Sequence, residues 1–170
     1  QRRHPMISEP SGVYTLRHVE AVNAYAQAMA LELGWDEFQL EALDFGAILH
    51  DVGKIGVPEK ILSKEGPLDE DEWAEMRMHP VYGAHMIEGN PYLDAALPLV
   101  LHHHERWDGK GYPDGLAGEA IPLGARLLAV ADTFHAMTSD RPYRPALAFE
   151  KAFAEILGQS GKQFDPQMVA

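Results

Sequence analysis

Residues 123–138 read LGARLLAVADTFHAMT, and this stretch decides the fold. The run is very apolar and reads as a helix. One face or another of it must be core, yet Asp132 lies inside it. A buried carboxylate without a partner is badly destabilising. Something positive must therefore meet Asp132. The helix itself offers only Arg126, six positions away and pointing elsewhere. The partner is either a metal ion or an Arg or Lys from another helix.

Outward from this helix the chain keeps a helical period. Between Val13 and about Leu33 the positions Leu16, Val19, Val22, Ala26, Met29, Ala30 and Leu33 are apolar, and Gly34 stops the run. Asp36 can cap a second helix with the apolar set Phe38, Leu40, Leu43, Ala47, Ile48 and Leu49, ending near His50-Asp51. The segment VGKIGVPEKILSKEGP that follows reads as a loop. Asp69 to Glu72 resembles a capping box that opens a helix through Trp73, Met76 and His79, which Pro80 bends or restarts. Residues 92–104 read as helical, with Pro98 as a kink or in an inner first turn. Residues 105–122 hold four Gly and two Pro and are too broken for a regular element. An amphipathic helix is expected over 147–157. Asp165 and Pro166 then open one more turn. No stretch alternates as a strand would. The expectation is an all-α bundle of about six or seven helices with a long Gly-rich loop.

The chain has 170 residues, 46% apolar and 24% charged, which suits one globular domain. Residues 1–12 read as a linker or the end of an upstream region, and 13–170 as the domain. The first residue is not Met and the last helix stops after one turn, so a fragment that continues at its C-terminus is expected. Cysteine is absent, which removes disulfides, thiolate zinc sites and cysteine nucleophiles and agrees with a cytoplasmic setting. No apolar run approaches the ~20 residues of a membrane helix, and no signal peptide is visible. Acidic residues outnumber basic ones 26 to 14, for a charge of −12, which excludes a general DNA or RNA binder. A small anionic ligand remains compatible if metal ions or a local basic patch supply the positive field.

The nine His are the unusual feature. His50-Asp51 sits at the edge of an apolar helix, where both groups need partners. His79 lies near a helix boundary. His102, His103 and His104 are consecutive and precede Glu105, and neighbours on a helix point about 100° apart, so two of them reach one cleft only near a helix end. His18 faces the same cleft if the first helix packs alongside. Five imidazoles and two carboxylates exceed one tetrahedral zinc. They suit two ions bridged by a carboxylate, with Fe, Mn, Zn or Co favoured over Mg or Ca. Two ions about 3.5–4 Å apart bind an attacking hydroxide for in-line displacement at phosphorus. Trp35, Trp73 and Trp107 read as packing anchors, the Met residues as core filler, and His4 and His85 as lone residues.

The segments AILHDVGKIGVPEKIL, GPLDEDEW, MHPVYGAHMI, HHERWDGKGYPDGLAGEAIPLGARLLAVADTFHAMTSDRPYR and FDPQMV follow in this order. From about His18 to Val169 the chain resembles the HD superfamily of metal-dependent phosphohydrolases, and specifically its HD-GYP branch. The resemblance implies a helical fold and hydrolysis of cyclic di-GMP to linear pGpG and onward to GMP through a bridging hydroxide. It implies that His18, His50, Asp51 and Asp132 hold one divalent ion. Asp51 bridges to a second held by His79, His103 and His104, with His102 the structural spare. Fe or Mn is expected, with Zn, Ni or Co as alternatives. Asp51 and Lys54 would be catalytic, and Lys54, Tyr112, Arg141 and Arg144 would bind substrate. Implied partners are cyclic di-GMP, a diguanylate cyclase (GGDEF) domain, an upstream regulatory domain and a second copy, in the bacterial cytoplasm.

Three positions depart from the family pattern. Tyr14 stands where some members carry a Glu that holds a third metal, which points to a dinuclear site. His135 stands where an Asp is common, as a ligand, a group behind the ligands, or neither. Ala21 replaces a common Arg, a surface matter. Two other readings stay open: a silent module that binds cyclic dinucleotides or a protein partner, and a hydrolase of cyclic GMP-AMP or a related nucleotide.

Overall fold

Side-chain caps fix where several helices begin. The structure is a computed structural model that describes residues 13–140 and 144–170, with side chains from Leu16 onward. Helix α1 spans Val13–Glu32 and α2 spans Glu37–Leu49. Asp36 accepts from the Gln39 amide at 2.8 Å, and the Gln39 side chain bonds the Asp36 amide at 3.0 Å, which closes a capping box. A 3₁₀ turn over Val52–Gly56 and a single turn, α3 (Glu59–Leu62), follow. Asp69 caps α4 (Glu70–Met76), again with a reciprocal bond from Glu72. Helix α5 (His79–Ile87) restarts the chain with Pro80 in its first turn, where a missing N–H has no cost. Pro98 occupies the same kind of position in α6 (Leu97–His102). Helices α7 (Leu123–Thr138), α8 (Phe149–Gly158) and α9 (Pro166–Val169) complete the order, with Asp165 capping α9.

Seven of these helices are six residues or longer, and the described residues hold two isolated β-bridges and no named strand. The expected all-α bundle is what forms. The expected loop over VGKIGVPEKILSKEGP instead contains the 3₁₀ turn and α3, because Val57, Ile61 and Leu68 bury against Met76 in a small second core. The main core is built by Val22, Ala26 and Ala30 of α1, Leu43 and Ala47 of α2, and Leu127, Leu128 and Ala131 of α7. Helix α7 is thus central, as its composition requires. Four residues expected on buried faces are exposed: Leu16, Leu33, Phe38 and Ile48. On α2 the buried line runs through Leu43, Gly46, Ala47 and His50, and Ile48 lies about 100° off that line. Arg126 does point elsewhere: it is half-buried and donates at 2.8 Å to the buried Asp165, which ties α9 to α7.

Candidate metal centre

Six segments bring seven side chains to one place. His18 comes from α1, His50 from the end of α2, and Asp51 from the start of the 3₁₀ turn. His79 opens α5, His103 and His104 follow α6, and Asp132 sits in the middle of α7. The 3₁₀ turn packs directly on α5 because Gly53 has no side chain: a Cβ there would lie 1.8 Å from the His79 carbonyl oxygen and 2.4 Å from the Gly83 amide nitrogen. The close approach brings Asp51 and His79 together.

The two carboxylates organise two groups. Asp51 Oδ1 lies 3.3 Å from His79 Nε2 and 3.8 Å from His103 Nε2. Asp51 Oδ2 lies 3.4 Å from His50 Nε2 and 3.0 Å from Lys54 Nζ. Asp132 Oδ1 is 3.2 Å from His18 Nε2 and 3.6 Å from His50 Nε2. Asp51, His79, His103 and His104 can place one ligand atom each within 4.8 Å of one another, and so can His18, His50 and Asp51. Asp51 thus offers one oxygen to each group.

The imidazoles are oriented from behind. His50, His79 and His103 each place Nδ1 within 2.7–2.8 Å of the main-chain carbonyl three residues earlier, at Ala47, Met76 and Val100. A carbonyl only accepts, so Nδ1 carries the proton and donates. Their Nε2 atoms are buried and have no hydrogen-bond partner among the described residues. Buried polar atoms are rarely left so. Three orphan nitrogens that converge on two carboxylates fit a cation between them, with the remaining N–H held by an outer partner.

Protonation states agree with that fit. Burial alone would raise Asp51, but Lys54, His50 and His79 hold it well below the ordinary carboxylate value. Burial likewise opposes ionisation of Asp132, and His18 and His50 overcome it. Burial pushes His103 well down and His104 to about 3, so both rings are neutral at pH 7. Burial also pushes His50 down, but Asp51 and Asp132 reverse this and raise it to about 9. A ligand must be deprotonated, so a cation at His50 would replace that proton.

The remaining candidates differ in placement. Tyr112 stacks on His104, with centroids 4.8 Å apart and planes at 20°, and Arg77 lies 5.8 Å over the Tyr112 ring. Lys54 salt-bridges Asp51. Arg144 Nη2 donates to the Ala136 carbonyl at 2.7 Å, bracing the end of α7, while its Nε is buried without a hydrogen-bond partner among the described residues. Arg141 lies outside the described residues, as do His4 and the Tyr14 side chain. His102 stays out of both groups and instead faces Glu105 Oε1 at 3.4 Å. His85 is paired with Glu88 at 3.2 Å rather than alone.

Glu105 and Arg77 were assigned no role from the sequence, and Gly111 belongs to the Gly-rich loop that the sequence marks. Glu105 is 4% exposed and accepts the amides of Asp114 and Leu116, pinning the Gly-rich loop beneath the centre. Gly111 lets that loop approach, since a Cβ would sit 2.5 Å from the His104 carbonyl oxygen. Arg77 completes the stack on Tyr112. The Glu directly after the His run is a signal for the first, and none marks Arg77.

Comparison with known proteins now has a geometry to rest on. The HD domain family matches residues 5–168. The "Cyclic di-GMP phosphodiesterase response regulator RpfG" of Xanthomonas campestris is 43% identical over 157 residues, covering 91% of this chain and 42% of that protein. A "Cyclic di-GMP phosphodiesterase" of Thermotoga maritima is 42% identical over 166 residues, covering 96% and 45%. Among solved structures, that of a cyclic GMP-AMP-specific phosphodiesterase of Vibrio cholerae superposes with a TM-score of 0.72 at 21% identity, covering 89% of this chain and 42% of that one. The chain thus spans less than half the length of the curated relatives it matches. With the match along almost its whole length and the clustered His and Asp side chains, the chain belongs to the HD domain family.

Proposed function

We propose that this domain is a metal-dependent phosphodiesterase that opens cyclic di-GMP to linear pGpG and then to GMP. One observation carries the reading: three buried Nε2 atoms without hydrogen-bond partners among the described residues face two carboxylates held ionised. His18, His50 and Asp132 would hold one divalent ion, and His79, His103 and His104 the other, with Asp51 shared. Fe or Mn is the expected pair, with Zn, Ni or Co as substitutes. When bound, such ions supply an activated water and neutralise charge at phosphorus.

The chain's own residues do the rest. Asp51 keeps the two groups in register. Lys54, beside Asp51 Oδ2, offers an ammonium to the scissile phosphate and a proton to the leaving oxygen. Burial raises the Tyr112 hydroxyl, so it remains a donor, and its ring holds His104 in place. Arg141 and Arg144 are proposed as phosphate contacts, since guanidinium offers planar paired donors. No helix of the described residues is long and apolar enough to cross a membrane. Action in the bacterial cytoplasm, control by an upstream domain, a GGDEF partner and homodimer formation belong to the same proposal.

Incubation of anaerobically purified, Mn- or Fe-loaded protein with cyclic di-GMP, followed by chromatography, tests it. Linear pGpG with about two metals per chain is expected. Intact cyclic di-GMP, alongside a relative that cleaves it, overturns the reading; tight binding without turnover would favour a silent binding module. A parallel arm with cyclic GMP-AMP decides the nucleobase preference, because a cyclic GMP-AMP-specific phosphodiesterase of Vibrio cholerae shares this fold.

A further inference from the structure

Of the five imidazoles His18, His50, His79, His103 and His104, three have their Nδ1 held by main-chain carbonyls. His18 does not follow that pattern. Its Nδ1 lies 2.8 Å from Nδ1 of His135, one turn beyond Asp132 on α7, with ring centroids 4.7 Å apart. His135 Nε2 lies in turn 2.9 Å from Ser139 Oγ, and Ser139 Oγ donates to the His135 carbonyl at 2.7 Å.

We propose that His135 is a positioning residue that accepts the His18 Nδ1–H and thereby presents the His18 Nε2 lone pair to the cation site beside Asp132. The direction follows from counting protons. A serine hydroxyl has one proton, and Ser139 gives it to a carbonyl. Its oxygen is then an acceptor toward His135, which places a proton on His135 Nε2. A neutral His135 with its proton on Nε2 has an acceptor at Nδ1. The facing His18 Nδ1 is therefore the donor, and its Nε2 carries the lone pair. That atom is 3.2 Å from Asp132 Oδ1, where a lone pair is favourable only with a cation between them.

The device matters because the His18 partner is a side chain rather than a fixed carbonyl. Outer hydrogen bonds set the tautomer and orientation of a ligating imidazole, and their loss costs about 10–100-fold in metal affinity. The inference rests on the metal reading above, so its test must separate the two.

Zn²⁺ titration of the chelator-treated protein supplies the affinities, and long-range ¹H–¹⁵N spectra supply the tautomers. In the unaltered, Zn²⁺-bound protein His18 should show a protonated Nδ1 and His135 a protonated Nε2. His135→Asn keeps an acceptor oxygen and should retain Zn²⁺ within a few-fold. His135→Leu has similar bulk and no acceptor, and should lose about 10–100-fold at one site, leaving the site of His79, His103 and His104 unchanged. Equal affinity for the Leu and unaltered proteins overturns the proposal while leaving the metal reading intact. A proton on His18 Nε2 in the unaltered, Zn²⁺-bound protein overturns it without any variant. Loss of one whole metal equivalent in both variants would make His135 a ligand and also overturn it. Failure of the unaltered protein to bind Zn²⁺ at all removes the metal reading and this proposal together.

Discussion

Gly53→Ala is the sharpest test of how the backbone builds the site. The new Cβ would stand 1.8 Å from the His79 carbonyl oxygen and 2.4 Å from the Gly83 amide nitrogen. Both are main-chain atoms, so no side chain can swing away. Reaching even 3.0 Å from the carbonyl requires the 52–56 turn and α5 to part by about 1.2 Å. Asp51 rides on the turn and His79 opens α5, so their 3.3 Å contact opens by a similar amount. Metal sites tolerate ligand shifts of roughly 0.2 Å, and a displacement of about 1 Å can cost ~10²-fold in rate. Overpacking of this kind costs about 1–3 kcal/mol, which for a chain of this size lowers Tm by roughly 2–12 °C. Gly158→Ala is the control, because a Cβ at the end of α8 meets nothing within 4 Å. Calorimetry, elemental analysis and phosphodiesterase rates should all separate the two variants. A Gly53→Ala protein with unaltered Tm, metal content and rate would refute the claim that this contact sets the Asp51–His79 distance.

Other changes should read out different parts of the centre. Asp51→Asn should strip most of both metals while Asp132→Asn strips about one, as measured by elemental analysis; equal losses would remove Asp51 from the shared position. Arg126→Ala leaves Asp165 buried without its cation, so denaturant unfolding should show a loss of about 3–5 kcal/mol with metal content retained in the folded fraction. For chelator-treated protein, Tm should peak near pH 6.5. Below that, His103 and His104 resist protonation when folded but not when unfolded, so stability falls with pH toward about 3. Above it, the folded state holds a proton on His50 up to about pH 9, so that contribution fades as pH rises through this range. A flat Tm profile between pH 5 and 9 would contradict these assignments.

How much of this is legible in the sequence depends on how local the physics is. Asp36, Asp69 and Asp165 cap helices through bonds spanning two or three residues, so the sequence alone locates those starts. Helix α7 was legible as a whole because its composition leaves it no place but the centre, and Asp132 was legible as an anomaly within it. The exposed Leu16 and Phe38 were not, because an apolar residue reveals its face only once the neighbouring helices are known. The same limit governs the site. Resemblance supplied which imidazoles gather, but not what holds them, since His50, His79 and His103 lean on carbonyls that every residue type carries. His18 and His135 meet across 117 positions, a pairing no periodicity encodes. The contrast has a consequence for variation along this chain. Imidazoles steadied by the main chain are insensitive to the side chain at the supporting position, whereas His18 faces whatever side chain stands at 135. Under the proposed two-ion reading, substitution there should therefore tune the ion beside Asp132 without touching the helix ends that would hold the other.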